Sequence, residues 1–124
     1  MRFIIMVKGP ENPAAGPPPQ KLMQAIGQLG EDAAKAGVFV ETGGLLPTAL
    51  GARMRLTSGK ISVTDGPFSE SKEVIGGYAI YNVASKAEAI AWTRRFMDLH
   101  KEHWPGWEGE CEIRQLFEMP ATRS

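Results

Sequence analysis

The feature that most constrains the fold is that the strand-forming segments of this chain are apolar on both faces. The segments FIIMV (residues 3–7) and VFV (38–40) contain no polar residue, and YAIY (78–81) places apolar or aromatic side chains on both sides. A strand in a half-exposed antiparallel sheet alternates apolar with polar residues, whereas a strand covered on both faces does not. The sheet therefore needs a covering layer on each face.

Two helices are available to provide that cover. Apolar residues at helical spacing predict the first helix over residues 19–36, which ends before Gly37. Ser85 and Glu88 form a capping-box pattern at the start of the second helix, 85–103. Two right-handed crossovers would place both helices on the same face of one sheet. A second copy of the chain is the natural cover for the other face, so we predict a homodimer.

A hairpin is predicted between the two halves, with its turn at Ser58-Gly59. Its register places Leu56 opposite Ile61, Met54 opposite Val63, Arg53 opposite Thr64 and Arg55 opposite Ser62. One face of the hairpin is then apolar, and the other carries two guanidinium groups that end beside Asp65. Further strands are predicted at 2–8, 38–41, 76–83 and 111–118.

The resulting order is β-α-β-hairpin-β-α-β, an α+β arrangement in a single domain. The chain has 124 residues, which suffices for one domain, and we assign that domain to residues 1–120 with a frayed tail at 121–124. The proline-rich segment GPENPAAGPPPQ (9–20) is predicted to be a surface loop.

Charge and cysteine content exclude several classes of protein. Lys plus Arg and Asp plus Glu both number 14, so the formal net charge is zero and the basic excess typical of nucleic-acid binding is lacking. The longest apolar run, residues 3–7, is far too short to span a bilayer. Cys111 is the single cysteine, so no intramolecular disulfide can form, and we predict that it is a small apolar core residue. We predict a cytoplasmic protein with neither a nucleic-acid nor a membrane partner.

The segment VTDGPFSESKE (63–73) is the most distinctive part of the sequence. Pro67 cannot donate a backbone hydrogen bond, so the strand ladder must stop there. Asp65 has two interpretations. Its carboxylate could accept backbone N–H groups in an Asx-type turn, or it could serve as a general acid or base that acts on a polar ligand. Asp65 is accordingly the candidate catalytic residue.

The candidate ligand-binding residues surround that motif or share a sheet with it. Guanidinium groups could hold an anionic or carbonyl group, and the remaining candidates follow the motif or lie on the next strand. The set is Arg53, Arg55, Lys72, Glu73, Tyr78 and Arg114.

A family resemblance rests on the same motif. TDGPFSESKE resembles the signature of the DGPF proteins of the YCII-related family, whose usual form is D-G-P-F-A-E-T-K-E; only Ser69 and Ser71 differ from it. The segments AGVFVETGGLLP, GGYAIYNV and EIRQLFE also resemble the family's pattern. The resemblance implies a ferredoxin-like α+β fold that dimerises into an α/β barrel.

The resemblance implies two different functions. One is a small-molecule-binding protein that acts as a cofactor-independent enzyme; YCII relatives are suspected enzymes with an Asp–His pair, and Asp65 is the only candidate for the Asp. The alternative is a regulatory or interaction module associated with a sigma factor or another protein. An open pocket lined by Asp65 and an arginine would favour the first function, and a filled interior with an exposed apolar patch would favour the second.

Two further signals come from the segment that ends the second helix. His100 and His103 are three residues apart, which together with a carboxylate could bind zinc, but no third ligand is evident and a half-exposed pair at a helix end is the favoured interpretation. Trp104 and Trp107 either seal the helix end or cover a pocket. No phosphate-binding glycine motif occurs. We therefore predict no metal and no cofactor, with a ligand cleft between the sheet, the hairpin and the proline-rich loop.

Overall fold

The predicted order of elements is present in the structure, a computed structural model that describes residues 1–11, 16–68 and 73–118. The strands are β1 (Arg2–Gly9), β2 (Phe39–Gly44), β3 (Ala52–Thr57), β4 (Lys60–Asp65), β5 (Val74–Asn82) and β6 (Glu110–Gln115), and the helices are α1 (Gln20–Lys35) and α2 (Lys86–His103). A short 3₁₀ turn, Thr48–Leu50, was not predicted. The predicted frayed tail lies outside the described residues.

Four strands form the main sheet in the order β2-β5-β1-β6, and all three neighbouring pairs are antiparallel. With one helix after β1 and another after β5, this is the ferredoxin-like α+β arrangement. β2 extends to Gly44, beyond the predicted end at residue 41, because Thr42–Gly44 continue to pair with β5. β6 ends earlier than predicted, at Gln115.

Both helices pack on one face of the main sheet, as predicted. Phe3 and Ile5 of β1 and Tyr81 of β5 are buried there against Ala33 of α1 and Ala89 of α2. Since successive side chains of a strand point to opposite faces, these residues define the covered face. None of the helices in the described part of the chain is long and apolar enough to cross a membrane.

Local sequence explains where the helices begin and end. Ser85 is the N-cap of α2, and its Oγ accepts a hydrogen bond from the Glu88 backbone N–H at 3.2 Å. The Glu88 carboxylate accepts a return hydrogen bond from the N–H of Ala84 at 3.0 Å, one residue earlier than in a regular capping box. After α1, Gly37 adopts a left-handed conformation with φ of 74°, which terminates the helix.

The other face of the main sheet has an apolar centre and a charged margin. Ile4 pairs with Ile80 and Met6 pairs with Tyr78, so these four side chains share the face opposite the helices. Each is half-buried. We call this surface the open face; it is the face for which the sequence predicts a second copy as cover.

The hairpin forms a separate two-stranded sheet with the predicted register. Its polar face carries the two arginines, as predicted. Its apolar face, which we call the hairpin face, is uncovered in the described chain. The side chains of Met54, Leu56, Ile61 and Val63 are between 60% and 70% exposed.

Candidate functional site

A cavity of about 510 Å³ lies between the main sheet and the two helices. Small residues line its floor, among them Gly43, Gly77 and Ala79. Large aromatic side chains and His100 lie around it from α2 and the segment after it, namely Trp92, Phe96, His100, Trp104 and Trp107. The space exists because small floor residues face these large rings and leave the volume between them unfilled.

The cavity differs in position from the cleft predicted by the sequence. The main sheet forms its floor and Pro18 of the proline-rich loop contributes to its edge, as expected. The helices take the place of the hairpin: no hairpin residue belongs to the lining among the residues described.

His100 is the titratable group with the best-defined geometry in this cavity. Its side chain is only 6% exposed and lies between two aromatic rings, with centroids 4.5 Å from Phe96 and 4.4 Å from Trp107. Its Nδ1 lies 3.0 Å from the backbone carbonyl oxygen of Phe96. A carbonyl oxygen only accepts hydrogen bonds, so Nδ1 carries the proton and, in the neutral ring, Nε2 presents a lone pair.

Two threonines also line the cavity, and each hydroxyl already donates a hydrogen bond to a backbone carbonyl. Thr93 donates to the Ala89 carbonyl at 2.9 Å, and Thr42 donates to the Tyr78 carbonyl at 2.8 Å. Their protons therefore satisfy the protein's own backbone.

Tyr78, a predicted ligand-binding residue, belongs to the cavity lining, but its ring lies on the open face. Its hydroxyl donates to the carboxylate of Glu41. That hydrogen bond, with a smaller effect from desolvation, raises the pKa of the Tyr78 phenol. The Tyr78 backbone, rather than its hydroxyl, therefore borders the cavity.

Asp65 ends β4 with an exposed side chain and does not line the cavity. The turn that follows it is held by other groups. The Gly66 N–H donates to the Gly51 carbonyl at 3.0 Å, and the Phe68 N–H donates to the Thr48 hydroxyl at 3.2 Å. Thr48 in turn donates through its N–H and its hydroxyl to Glu11, at 2.9 and 2.6 Å. Among the described residues, no hydrogen bond of this turn uses the Asp65 carboxylate.

One of the two hairpin arginines predicted to bind a ligand contacts the DGPF segment. The Arg53 guanidinium lies over the Phe68 ring, 4.0 Å from its centroid, which is a cation–π contact. Arg55 shares that face of the hairpin but is exposed. Neither arginine lines the cavity.

The remaining predicted ligand-binding residues are dispersed. Glu73 is exposed just before β5, and Lys72 lies outside the described residues. Arg114 is on the open face, where its guanidinium lies 3.1 Å from Glu112. Glu112 also accepts a hydrogen bond from Lys8 at 2.9 Å. The hydrogen bonds from Lys8 and then Arg114 hold the pKa of the Glu112 carboxyl below its usual value.

The favoured interpretation of the histidine pair was wrong for His100. It is buried in the aromatic stack, whereas His103 keeps a quarter of its side-chain area exposed, 3.8 Å from Glu102. No group of three potential metal-ligating side chains occurs among the residues that the structure describes. Trp104 and Trp107 line the cavity, so the pocket-covering interpretation is the correct one.

Cys111 packs against the core, as predicted. Its Sγ lies 3.4 Å from the Met97 sulfur, and burial raises the pKa of the thiol to about 11. A thiol with such a pKa is almost fully protonated near neutral pH and therefore a poor nucleophile.

Sequence reasoning missed His100 as a cavity residue because it was interpreted as half of an exposed pair at the helix end. The buried residues of α2 are Ala89, Thr93 and His100. These lie at i, i+4 and i+11, a helical spacing that also includes Phe96. Two polar residues at that spacing were the available signal.

Comparison with known proteins identifies the family of the chain. The arrangement defines a small ferredoxin-like α+β domain with a cavity beneath its helices. Residues 1–101 match the YCII-related domain, and the chain belongs to that family. It is similar to an uncharacterised protein of Rhizobium meliloti (strain 1021), with 31% identity over 97 residues that cover 78% of this chain and 74% of the relative.

Proposed function

We propose that this protein binds a small, largely apolar molecule in the cavity between its main sheet and its helices. The observation that carries the proposal is the cavity itself, about 510 Å³ in volume. Small-molecule sites typically measure roughly 300–1,000 Å³ and are lined mainly by apolar and aromatic side chains with a few polar groups. The aromatic wall formed by Trp92, Phe96 and Trp107, with His100 among the rings, fits that description.

A cavity-filling variant tests the proposal. Ala79 lies on the floor of the cavity. Ala79→Phe should occupy part of the volume and reduce the affinity for a neutral apolar probe, 1-methoxynaphthalene, by about tenfold or more. Isothermal titration calorimetry on the full chain measures the affinity. The control is Ala91→Phe, because Ala91 is exposed on α2 and does not line the cavity.

Overpacking costs stability, typically about 1–3 kcal/mol. A thermal melt of Ala79→Phe must therefore show a folded protein before its affinity is interpreted. If the wild type does not bind the apolar probe, or if Ala79→Phe and Ala91→Phe bind it as the wild type does, the proposed function is wrong.

Catalysis without a cofactor, with Asp65 as general acid or base, belongs to this proposal as its finer form. The contacts of the described residues place Asp65 at the base of the hairpin and not in the cavity lining. Binding in the cavity does not depend on Asp65. The catalytic role stays a prediction.

The proposed assembly is a homodimer that buries the open face of the main sheet, which would complete an α/β barrel. Support comes from the apolar centre of that face, where Ile4, Met6, Tyr78 and Ile80 lie side by side. Charged groups, Lys8, Glu112 and Arg114 among them, lie beside this centre. An apolar centre with a polar rim is the usual anatomy of a dimer interface.

A cytoplasmic location, predicted from the single cysteine, is part of the same proposal.

A second candidate function is favoured by the hairpin face. Its four apolar side chains are 60–70% exposed on a two-stranded sheet, and an isolated hairpin is at best marginally stable in water. An apolar surface of a protein partner, such as the sigma factor implied by the family resemblance, would cover it. The test is a pull-down of a purified extracytoplasmic-function sigma factor by the wild type and by Leu56→Lys; equal recovery would contradict this alternative.

A further inference from the structure

His100 is the ring in the proposed ligand site whose hydrogen bonding the structure defines, and it suggests the chemistry of the ligand. Nδ1 of His100 donates a hydrogen bond to the backbone carbonyl of Phe96 at 3.0 Å. No buried side-chain nitrogen or oxygen in the described residues lacks a partner, and Nδ1 makes the one hydrogen bond of this ring. Nε2 is therefore not sealed in the protein interior but can be reached from the cavity that His100 lines.

We propose that His100 selects, among aromatic molecules that fit the cavity, those that bear a hydroxyl group able to donate a hydrogen bond to Nε2. This inference rests on the proposed function, because it assumes that the cavity is the ligand site. The ligand class is a neutral phenol or an enol of similar shape. His100 is then a specificity-determining residue.

The aromatic part of the ligand follows from the surroundings of His100. The imidazole lies between Phe96 and Trp107, and Trp104 stacks on Trp107 with ring centroids 6.3 Å apart. These rings fix the plane of the imidazole. Offset and edge-on contacts between aromatic rings contribute beyond the area they bury, so a flat aromatic ligand suits this wall better than a flexible chain.

The donor requirement follows from the tautomer. With its proton on Nδ1, a neutral His100 offers only an acceptor to the cavity. The nearby hydroxyls of Thr93 and Thr42 donate to backbone carbonyls, so they also present acceptor oxygens to a ligand. A ligand hydroxyl can donate a hydrogen bond to these acceptors, whereas the corresponding methyl ether cannot.

The experiment compares 1-naphthol with 1-methoxynaphthalene by isothermal titration calorimetry on the full chain. The wild type should bind 1-naphthol roughly five- to tenfold more tightly than the ether, as expected for one net hydrogen bond. His100→Phe should abolish that preference while it retains affinity for the ether, since phenylalanine preserves the ring between Phe96 and Trp107. His103→Phe is the matched control, because His103 does not line the cavity; it should keep the preference.

The outcomes separate the two proposals. Equal binding of naphthol and ether by the wild type, or an unchanged preference in His100→Phe, would overturn the role of His100 and leave the cavity proposal standing. Failure of the wild type to bind either compound would overturn both. If His100→Phe does not fold, His100→Leu replaces it, because leucine also lacks an acceptor, and the comparison of the two ligands on the wild type needs no variant at all.

Discussion

Gly66 is required because the backbone of the neighbouring 3₁₀ turn passes directly over its α-carbon. A Cβ at this position would overlap the carbonyl oxygen of Thr48. Thr48 also receives the Phe68 N–H and binds Glu11, so it cannot move without breaking those hydrogen bonds. The glycine of the DGPF segment thus has a steric cause.

Gly66→Ala should destabilise the protein by about 2–4 kcal/mol, because the turn must shift to admit the methyl group. Thermal unfolding followed by circular dichroism measures the effect. Gly27→Ala is the control. Gly27 lies on α1, and a Cβ added there would meet nothing within 4 Å, so alanine at this position should stabilise the helix by roughly 0.5–1 kcal/mol. A Gly66→Ala variant that melts with the wild type would contradict the close approach to Thr48.

Asp65→Asn decides between the two interpretations of the motif's carboxylate. Since the turn is held by Thr48 and Gly51, we expect the free energy of unfolding to change by no more than about 0.5 kcal/mol. Urea titration measures it. A loss of about 1 kcal/mol or more would show that the carboxylate supports the turn. An unchanged stability would leave a functional role as its remaining explanation.

At the scale of secondary-structure elements, the ion pairs of Glu112 on β6, one with Lys8 of β1 and one with Arg114 of β6 itself, make part of the sheet's stability depend on pH. Lys8 and Arg114 hold the pKa of Glu112 below its ordinary value of 4.5. For a carboxyl whose pKa is lowered by folding, the stabilisation is complete above the ordinary pKa and is lost as the pH falls through the lowered pKa.

The stability of the wild type should therefore fall as the pH is lowered below about 4.5, and that fall should be smaller in Glu112→Gln, which cannot titrate at this position. Urea midpoints measured from pH 6 down to pH 3 test this. Glu31→Gln on α1 controls for the general loss of one carboxylate. An equal slope in the wild type and Glu112→Gln would show that the ion pairs do not contribute in solution.

At the scale of the whole molecule, two surfaces remain apolar and uncovered in the described chain, the open face and the hairpin face. One chain has a mass of 13.5 kDa and only two helices among its described residues, both of them on the opposite side of the main sheet. The sequence predicted a dimer because two helices can cover only one face of the sheet. The open face is the face that they leave uncovered. The dimer itself remains a proposal.

Met6→Lys should convert the protein to a monomer, because a charge at the centre of the open face would be buried without a partner in the dimer. Size-exclusion chromatography with light scattering should give twice the mass of one chain for the wild type and a single-chain mass for the variant. Gln24→Lys, exposed on α1, is the control and should keep the wild-type mass. A monomeric wild type would refute the proposed assembly.

The sequence by itself determined the features that depend on short-range periodicity and local backbone chemistry. The hairpin register follows from a two-residue turn, and the start of α2 follows from the Ser85 cap; both agree with the structure. Each of these depends on residues a few positions apart, so the pattern is sufficient.

Only the tertiary structure decided where the candidate site lies. Whether an apolar interior is filled or hollow depends on the volumes of side chains that face each other across long sequence separations, here Gly77 and Ala79 on the sheet against Trp92 and Phe96 on α2. Periodicity shows which face of an element is turned inward but not what lies opposite. The sequence therefore predicted a helix-end position for His100, whereas in the folded protein the residue lies in the wall of a cavity.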